Sequence, residues 1–170
     1  MTPQVLLLTV VALVVGGVLT LAIWLRRRYH VRWSTWWWGA LAFVASQALR
    51  VPLLTSINNV ASGLPAATIA TIALVAALIT SGLFEETSRW VVLKYLAKRD
   101  RERPDGLMFG AGHAGIEAIL LVAAGAVSGL VLLTLGPTII EQMRSSAPGQ
   151  VALVQGQLDA LRNLSPVDAL

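Results

Sequence analysis

From Val5 to Leu25 the chain reads VLLLTVVALVVGGVLTLAIWL, without one ionisable side chain, and the run ends on Arg26-Arg27-Arg28. About 20 consecutive apolar residues is the length that crosses a bilayer as a helix, because in hydrocarbon every backbone N–H and C=O must be satisfied within the segment. Comparable runs are read from about Ser34 to Leu54, from Ala66 to Phe84 and from about Leu107 to Leu135. The third follows a Gly63-Leu64-Pro65 turn and continues helix-like but more polar to Ala97. The fourth is expected to stop at Gly136-Pro137, since proline lacks the N–H that a helix interior needs. The chain is therefore expected to be all-α: a multi-pass transmembrane helical bundle of four spanning helices, with an outer amphipathic helix after them.

Composition agrees, with 56% hydrophobic and 13% charged residues, where soluble domains carry about 25% charged. The formal net charge of +4 does not point to nucleic acid, because nine of the 13 Lys and Arg residues fall between apolar runs, four in Arg26 to Arg32 and five in Lys94 to Arg103. Basic residues clustered in short loops mark the cytoplasmic side. The reading places residues 26 to 33 and 97 to 106 in the cytoplasm, and the uncharged loop SINNVASGLP, with the N-terminus, outside the cell membrane. All six tryptophans flank the cytoplasmic ends, where an amphipathic ring prefers the interface. A secretory signal is excluded, since its charges precede the apolar stretch and here they follow it. With no cysteine, a disulfide framework and a thiolate metal site are excluded as well.

Residues 1–136 are read as the transmembrane core and 137–170 as an extracytoplasmic amphipathic segment. In the latter, Val151, Val154, Leu158 and Leu161 recur at helical spacing. Ser165 and Pro166 form a helix-start signal with only Val167 to Leu170 after it, so a further helix is expected to follow.

The chemistry concentrates in two stretches. In FEETSRW, Arg89 lies four residues after Glu85 and three after Glu86, so it can pair with either carboxylate but not ideally with both. In FGAGHAGIE, Phe109, His113 and Glu117 form one stripe, with Gly110, Ala111, Gly112, Ala114 and Gly115 leaving room for close helix approach. Measured from Arg101, Glu85 lies 16 residues before and His113 12 after (101 − 85 and 113 − 101). The mismatch of 4 residues is roughly 6 Å along a helix, which side chains can bridge. A carboxylate that water hardly reaches favours its protonated form, and a nearby guanidinium favours the ionised one. The balance can leave a base able to activate water. An opposed imidazole could orient that water, donate to an oxyanion or bind a metal, and the reaction these roles describe is peptide-bond hydrolysis.

A Glu-Glu pair ending in Arg, followed by FxxxH on the next transmembrane helix, resembles the CPBP/CAAX-protease superfamily of intramembrane proteases. GLFEETSRWVVLKYL with MFGAGHAGIEAIL is similar to its YhfC branch, glutamic-type intramembrane proteases. The resemblance covers about residues 81 to 120. It implies Glu85 as base on the attacking water, Glu86 and Arg89 in support, and His113 positioning water or the intermediate. The wider superfamily has three residues between Glu-Glu and Arg where this chain has two, Thr87 and Ser88. Its third motif, a His followed four residues later by Asn or Asp, has no counterpart here: either it lies beyond Leu170 or this polypeptide is inactive alone.

The candidate catalytic set is therefore Glu85, His113, Glu86, Arg89 and Glu117. Glu117 reads equally as a neutral helix residue, and Arg50 as a snorkelling side chain or as a counter-ion for Glu117. No cofactor is expected. One His with several Glu leaves a divalent metal such as zinc open, although HExxH is absent. The expected partners are the lipid bilayer and a protein or peptide substrate, not nucleic acid. A non-catalytic scaffold or binding subunit held by the Glu-Arg-His cluster, and a proton-relay or transport protein, are the alternatives.

Overall fold

Each of the four apolar runs folds as one helix in the computed structural model, which describes residues 2–99 and 102–164. In chain order these are α1 (Pro3–Tyr29), α2 (Trp33–Ala61), α3 (Ala66–Val91) extended by a π turn (Val92–Leu96), α4 (Arg103–Ser146) and a shorter α5 (Pro148–Arg162). The first four are long and apolar enough to cross a membrane. Large apolar side chains such as Leu49, Leu78, Leu83 and Leu121 point outward, the arrangement expected where the surrounding medium is lipid rather than water.

The helices outrun the apolar runs. α2 takes in the first half of SINNVASGLP, and its polar residues fit because they bond the preceding turn: Thr55 Oγ1 donates to the Val51 carbonyl and Ser56 Oγ to that of Pro52, both at 2.9 Å. The expected stop at Gly136-Pro137 does not occur. α4 passes through Pro137 and continues to Ser146. Proline removes one donor and its ring crowds the preceding turn, a cost that α2 likewise bears at Pro52. With 44 residues, α4 is about 66 Å long, roughly twice the hydrocarbon thickness. Its start follows local chemistry, with Pro104 in the first turn and Asp105 Oδ2 accepting from the Glu102 N–H at 3.1 Å.

The chain divides into two compact units, one from Val18 to Glu117 and the other formed by the stretches on either side of it. In the flanking unit the expected stripe on α5 is present: Leu158 is buried, with Val151, Val154 and Leu161 half-buried. A Cβ on Gly136 would stand 3.1 Å from Leu158 Cδ2. The expected helix start at Ser165-Pro166 lies outside the described residues.

In the central unit, Ala22, Leu25, Val31, Trp36, Ala40 and Met108 form one buried cluster, and Ala42, Val92, Ala97 and Phe109 a second. The close approach expected around His113 is made to α2. A Cβ on Gly39 would collide with the Phe109 carbonyl, and one on Gly112 with the Trp36 carbonyl, whereas Gly110 has open space. Two backbones in contact leave no room for a side chain at either glycine. Trp36 is consequently core rather than interface belt, while Trp24, Trp37 and Trp90 are exposed. The π turn closes with the Ala97 N–H on the Val92 carbonyl at 2.8 Å. Its i→i+5 spacing stacks Val92 and Ala97 on one face, and both are buried.

Arg50 neither snorkels nor meets Glu117. Its Nε donates to Thr80 Oγ1 at 3.3 Å, its Nη2 to the Ala77 carbonyl at 3.0 Å and its Nη1 to Gln47 Oε1 at 3.3 Å, which clamps α2 to α3. Between α1 and α2 the chain reverses at His30, whose φ of 56° lies in the left-handed region.

Candidate functional site

The last two turns of α3 carry the polar residues, and local spacing arranges most of them. Ser81, one turn before Glu85, donates from Oγ to Glu85 Oε1 at 2.7 Å. Arg89, one turn after, sends Nη2 to Glu85 Oε2 at 3.4 Å and Nη1 to Glu86 Oε1 at 2.8 Å. As the spacing predicts, the guanidinium reaches both carboxylates but only one at ideal distance. Glu86 is exposed (72%) and Glu85 largely covered (14%), so the adjacent carboxylates occupy different surroundings. Ser88 Oγ donates to the Ala42 carbonyl at 2.7 Å and fixes this part of α3 against α2.

Facing them on α4 is His113, only 4% exposed. Its Nε2 lies 3.1 Å from Arg89 Nη2 and 3.7 Å from Glu85 Oε2, and the Phe43 ring stands edge-on to the imidazole at 5.4 Å between centroids. The axial mismatch between Glu85 and His113 is thus bridged, with Arg89 in the closer position. A guanidinium has only donors, so Nε2 must accept its hydrogen bond and the ring hydrogen must sit on Nδ1. That Nδ1 is buried without a partner among the described residues.

Glu117, one turn deeper on α4, is half-buried. Among the described residues it has no hydrogen bond or ion pair with this network. Of the five candidate residues the structure therefore joins Glu85, Glu86, Arg89 and His113 through direct contacts, with Glu117 one turn from His113 and not bonded to them. Ser81, Phe43 and Gly39 were not singled out from sequence. Ser81 had a legible signal, an i,i+4 relation to Glu85; Phe43 and Gly39 belong to another helix and had none. A further signal was present: Arg89 and His113 are both 12 residues from Arg101 (101 − 89 and 113 − 101), hence level across the hairpin.

The described residues do not by themselves make a metal centre. Among the described residues no three His, Cys, Asp or Glu side chains are grouped to hold an ion. Glu85 Oε2 and His113 Nε2 could serve as two donors, but an ion bound to both at about 2.1 Å would lie within about 4 Å of the Arg89 guanidinium, an uncompensated like-charge contact.

An apolar hollow of about 580 Å³ runs between α2 and α3 beside Leu41, Ser46, Leu83, Phe84, Ser88 and Val92.

No solved structure matches the chain. It is 42% identical over 53 residues to a Bacillus subtilis protein described as uncharacterized membrane protein YhfC; the match covers 31% of this chain and 20% of that protein. The family profile described as YhfC intramembrane metalloprotease matches residues 9–167. With a multi-pass helical architecture and that match along nearly its whole length, the chain belongs to the YhfC intramembrane metalloprotease family.

Proposed function

We propose that this chain is the core of an intramembrane endopeptidase in which Glu85 activates the attacking water. The carrying observation is the environment of that carboxylate. Oε1 is held by Ser81, Oε2 faces Arg89 and His113, and the group retains partial exposure through which water can enter. Glu85 takes a proton from water as its oxygen attacks the peptide carbonyl carbon. The tetrahedral intermediate then collapses, the C–N bond breaks, and the protonated carboxyl returns its proton to the departing amine. Arg89, fixed by Glu86, holds Glu85 in orientation and keeps His113 Nε2 as an acceptor.

The family's name includes a metal; within this chain Glu85 Oε2 and His113 Nε2 are the two donors brought together, beside the Arg89 guanidinium. The basic segments favour an orientation with Arg26 to Arg28 and the loop before α4 in the cytoplasm, so the site opens toward that side.

The test is Glu85→Gln, which keeps shape and removes the base. With insertion and helicity unchanged, cleavage of a membrane substrate should fall by about 10² to 10⁴-fold; cleavage at the wild-type rate sinks the assignment. A second reading is a helix lock, favoured by the Arg89 to His113 bond between α3 and α4. It predicts that His113→Ala unfolds the unit and that no proteolysis is found.

A further inference from the structure

We propose that the C-terminal end of α1 binds one anionic phospholipid, with Arg27 and Arg28 taking the headgroup phosphate and Ile23 and Trp24 the glycerol and upper acyl chains.

The place is a hollow of about 620 Å³ lined by Thr20, Ile23, Trp24, Arg27 and Arg28, all from one helix of the central unit. These residues recur at helical spacing and all five are exposed. They lie on the side of α1 away from Ala22 and Leu25, which pack with Trp36 of α2 and Met108 of α4, so the hollow faces the surrounding medium. The uncharged run from Val5 to Leu25 ends within this face. Its lining passes from apolar to cationic between Ile23 and Arg28, which is about 7.5 Å along the axis. A phospholipid with an anionic headgroup presents the complementary order, acyl chains and glycerol first and phosphate beyond them.

The three adjacent arginines are held differently. Arg26 turns back on its own chain, with Nη1 donating to the Val31 carbonyl at 3.3 Å and the guanidinium 5.9 Å from the Trp33 ring centroid. Arg28 stands 5.4 Å from the Tyr29 ring, which meets Trp24 edge-on at 6.0 Å; these rings keep the second cation beside the hollow. Neither Arg27 nor Arg28 has a carboxylate partner among the described residues, and no Asp or Glu precedes Glu85 in the chain. Guanidinium groups bond phosphate oxygens through paired N–H donors. A protein partner would have to bring an acidic side chain to the hydrocarbon boundary, whereas a bilayer containing anionic lipid supplies phosphate at that depth all around the helix.

The inference uses none of the residues of the proposed reaction and stands without it. The test titrates the purified full chain in detergent micelles with phosphatidylglycerol or phosphatidylcholine of equal acyl length, and reads the tightest-bound lipid by native mass spectrometry. Wild type should hold one phosphatidylglycerol at least about tenfold more tightly than phosphatidylcholine, and Arg27→Gln and Arg28→Gln should each weaken it about fivefold. Arg26→Gln and Arg32→Gln lower the net charge equally but lie outside the hollow, and each should change the affinity less than about twofold. Trp24→Ala should weaken binding about threefold, and soluble glycerol phosphate should not displace the lipid. All these side chains are exposed, and helicity by circular dichroism checks the fold of each variant. Equal retention of the two lipids overturns the proposal. So does an equal loss in Arg27→Gln and Arg32→Gln, which would mean diffuse attraction to the whole basic segment. Displacement by glycerol phosphate would make this a site for free phosphate, and a lipid-free dimer that Arg27→Gln dissociates would make it an interface between copies; either result overturns the proposal.

Discussion

Arg89 on α3 and His113 on α4 meet at 3.1 Å between Nη2 and Nε2, and the direction of that bond is fixed because a guanidinium cannot accept. It makes the imidazole an acceptor toward α3 and leaves its Nδ1 hydrogen facing the buried side. Nitrogen NMR of labelled histidine should therefore find the His113 hydrogen on Nδ1. A double-mutant cycle of Arg89→Met with His113→Phe should return a coupling of about 1 to 2 kcal/mol, the range of a hydrogen bond to a charged group reduced for partial exposure. A coupling near zero would mean the contact does not stabilise the helix pair.

Ser81 holds the second oxygen of Glu85 at 2.7 Å. Ser81→Ala frees the carboxylate to rotate while leaving its charge and its other partners. In the proposed reaction, kcat should fall about tenfold with KM little changed, since the lost contact orients a catalytic group rather than binds substrate. Steady-state kinetics on a fluorogenic transmembrane peptide would decide.

Gly39 and Gly112 face backbone carbonyls of the opposite helix, so a methyl at either position requires α2 and α4 to separate. Gly39→Ala and Gly112→Ala should each destabilise by about 3 kcal/mol, at the upper end of overpacking. Gly110→Ala, with open space around it, should be neutral or stabilise by up to about 1 kcal/mol through helix propensity. Unfolding titrations in mild detergent supply the comparison.

Arg50 donates to three acceptors on α2 and α3 without an ion-pair partner among the described residues. Arg50→Met keeps the stem and removes the donors, and should cost about 1 to 3 kcal/mol. An unchanged unfolding midpoint would show that the clamp does not contribute.

His30 takes a left-handed conformation, φ 56°, that costs most side chains about 1 to 2 kcal/mol and glycine almost nothing. His30→Gly should therefore stabilise by about 0.5 to 1 kcal/mol, and His30→Val should destabilise by more than that. Thermal unfolding of the two variants should move in opposite directions from wild type.

Fold class and helix number were legible because hydrocarbon leaves the backbone no partner but itself. Runs such as Val5 to Leu25 and Leu107 to Leu135 must then be helical whatever they pack against. Helix ends were less legible. The Gly136-Pro137 stop failed because one missing N–H and the crowding at a proline ring cost a long helix less than ending it would, and α2 likewise runs through Pro52. Trp36 was misplaced because a tryptophan near an apolar boundary reads alike whether it faces lipid headgroups or another helix.

By itself the sequence determined four spanning helices, the i,i+4 tie of Glu85 and Arg89, and the near-equal depth of α3 and α4 residues around their hairpin. These depend only on chain spacing and on the self-sufficiency of a helix. Only the tertiary structure decided that Arg89 rather than Glu85 makes the short contact to His113, that Gly112 lies against α2, and that Glu117 makes no direct bond to the network among the described residues. Each of these depends on how a helix is rotated about its own axis. One residue turns that face by about 100°, and helices apolar around nearly their whole circumference carry no pattern that fixes the rotation.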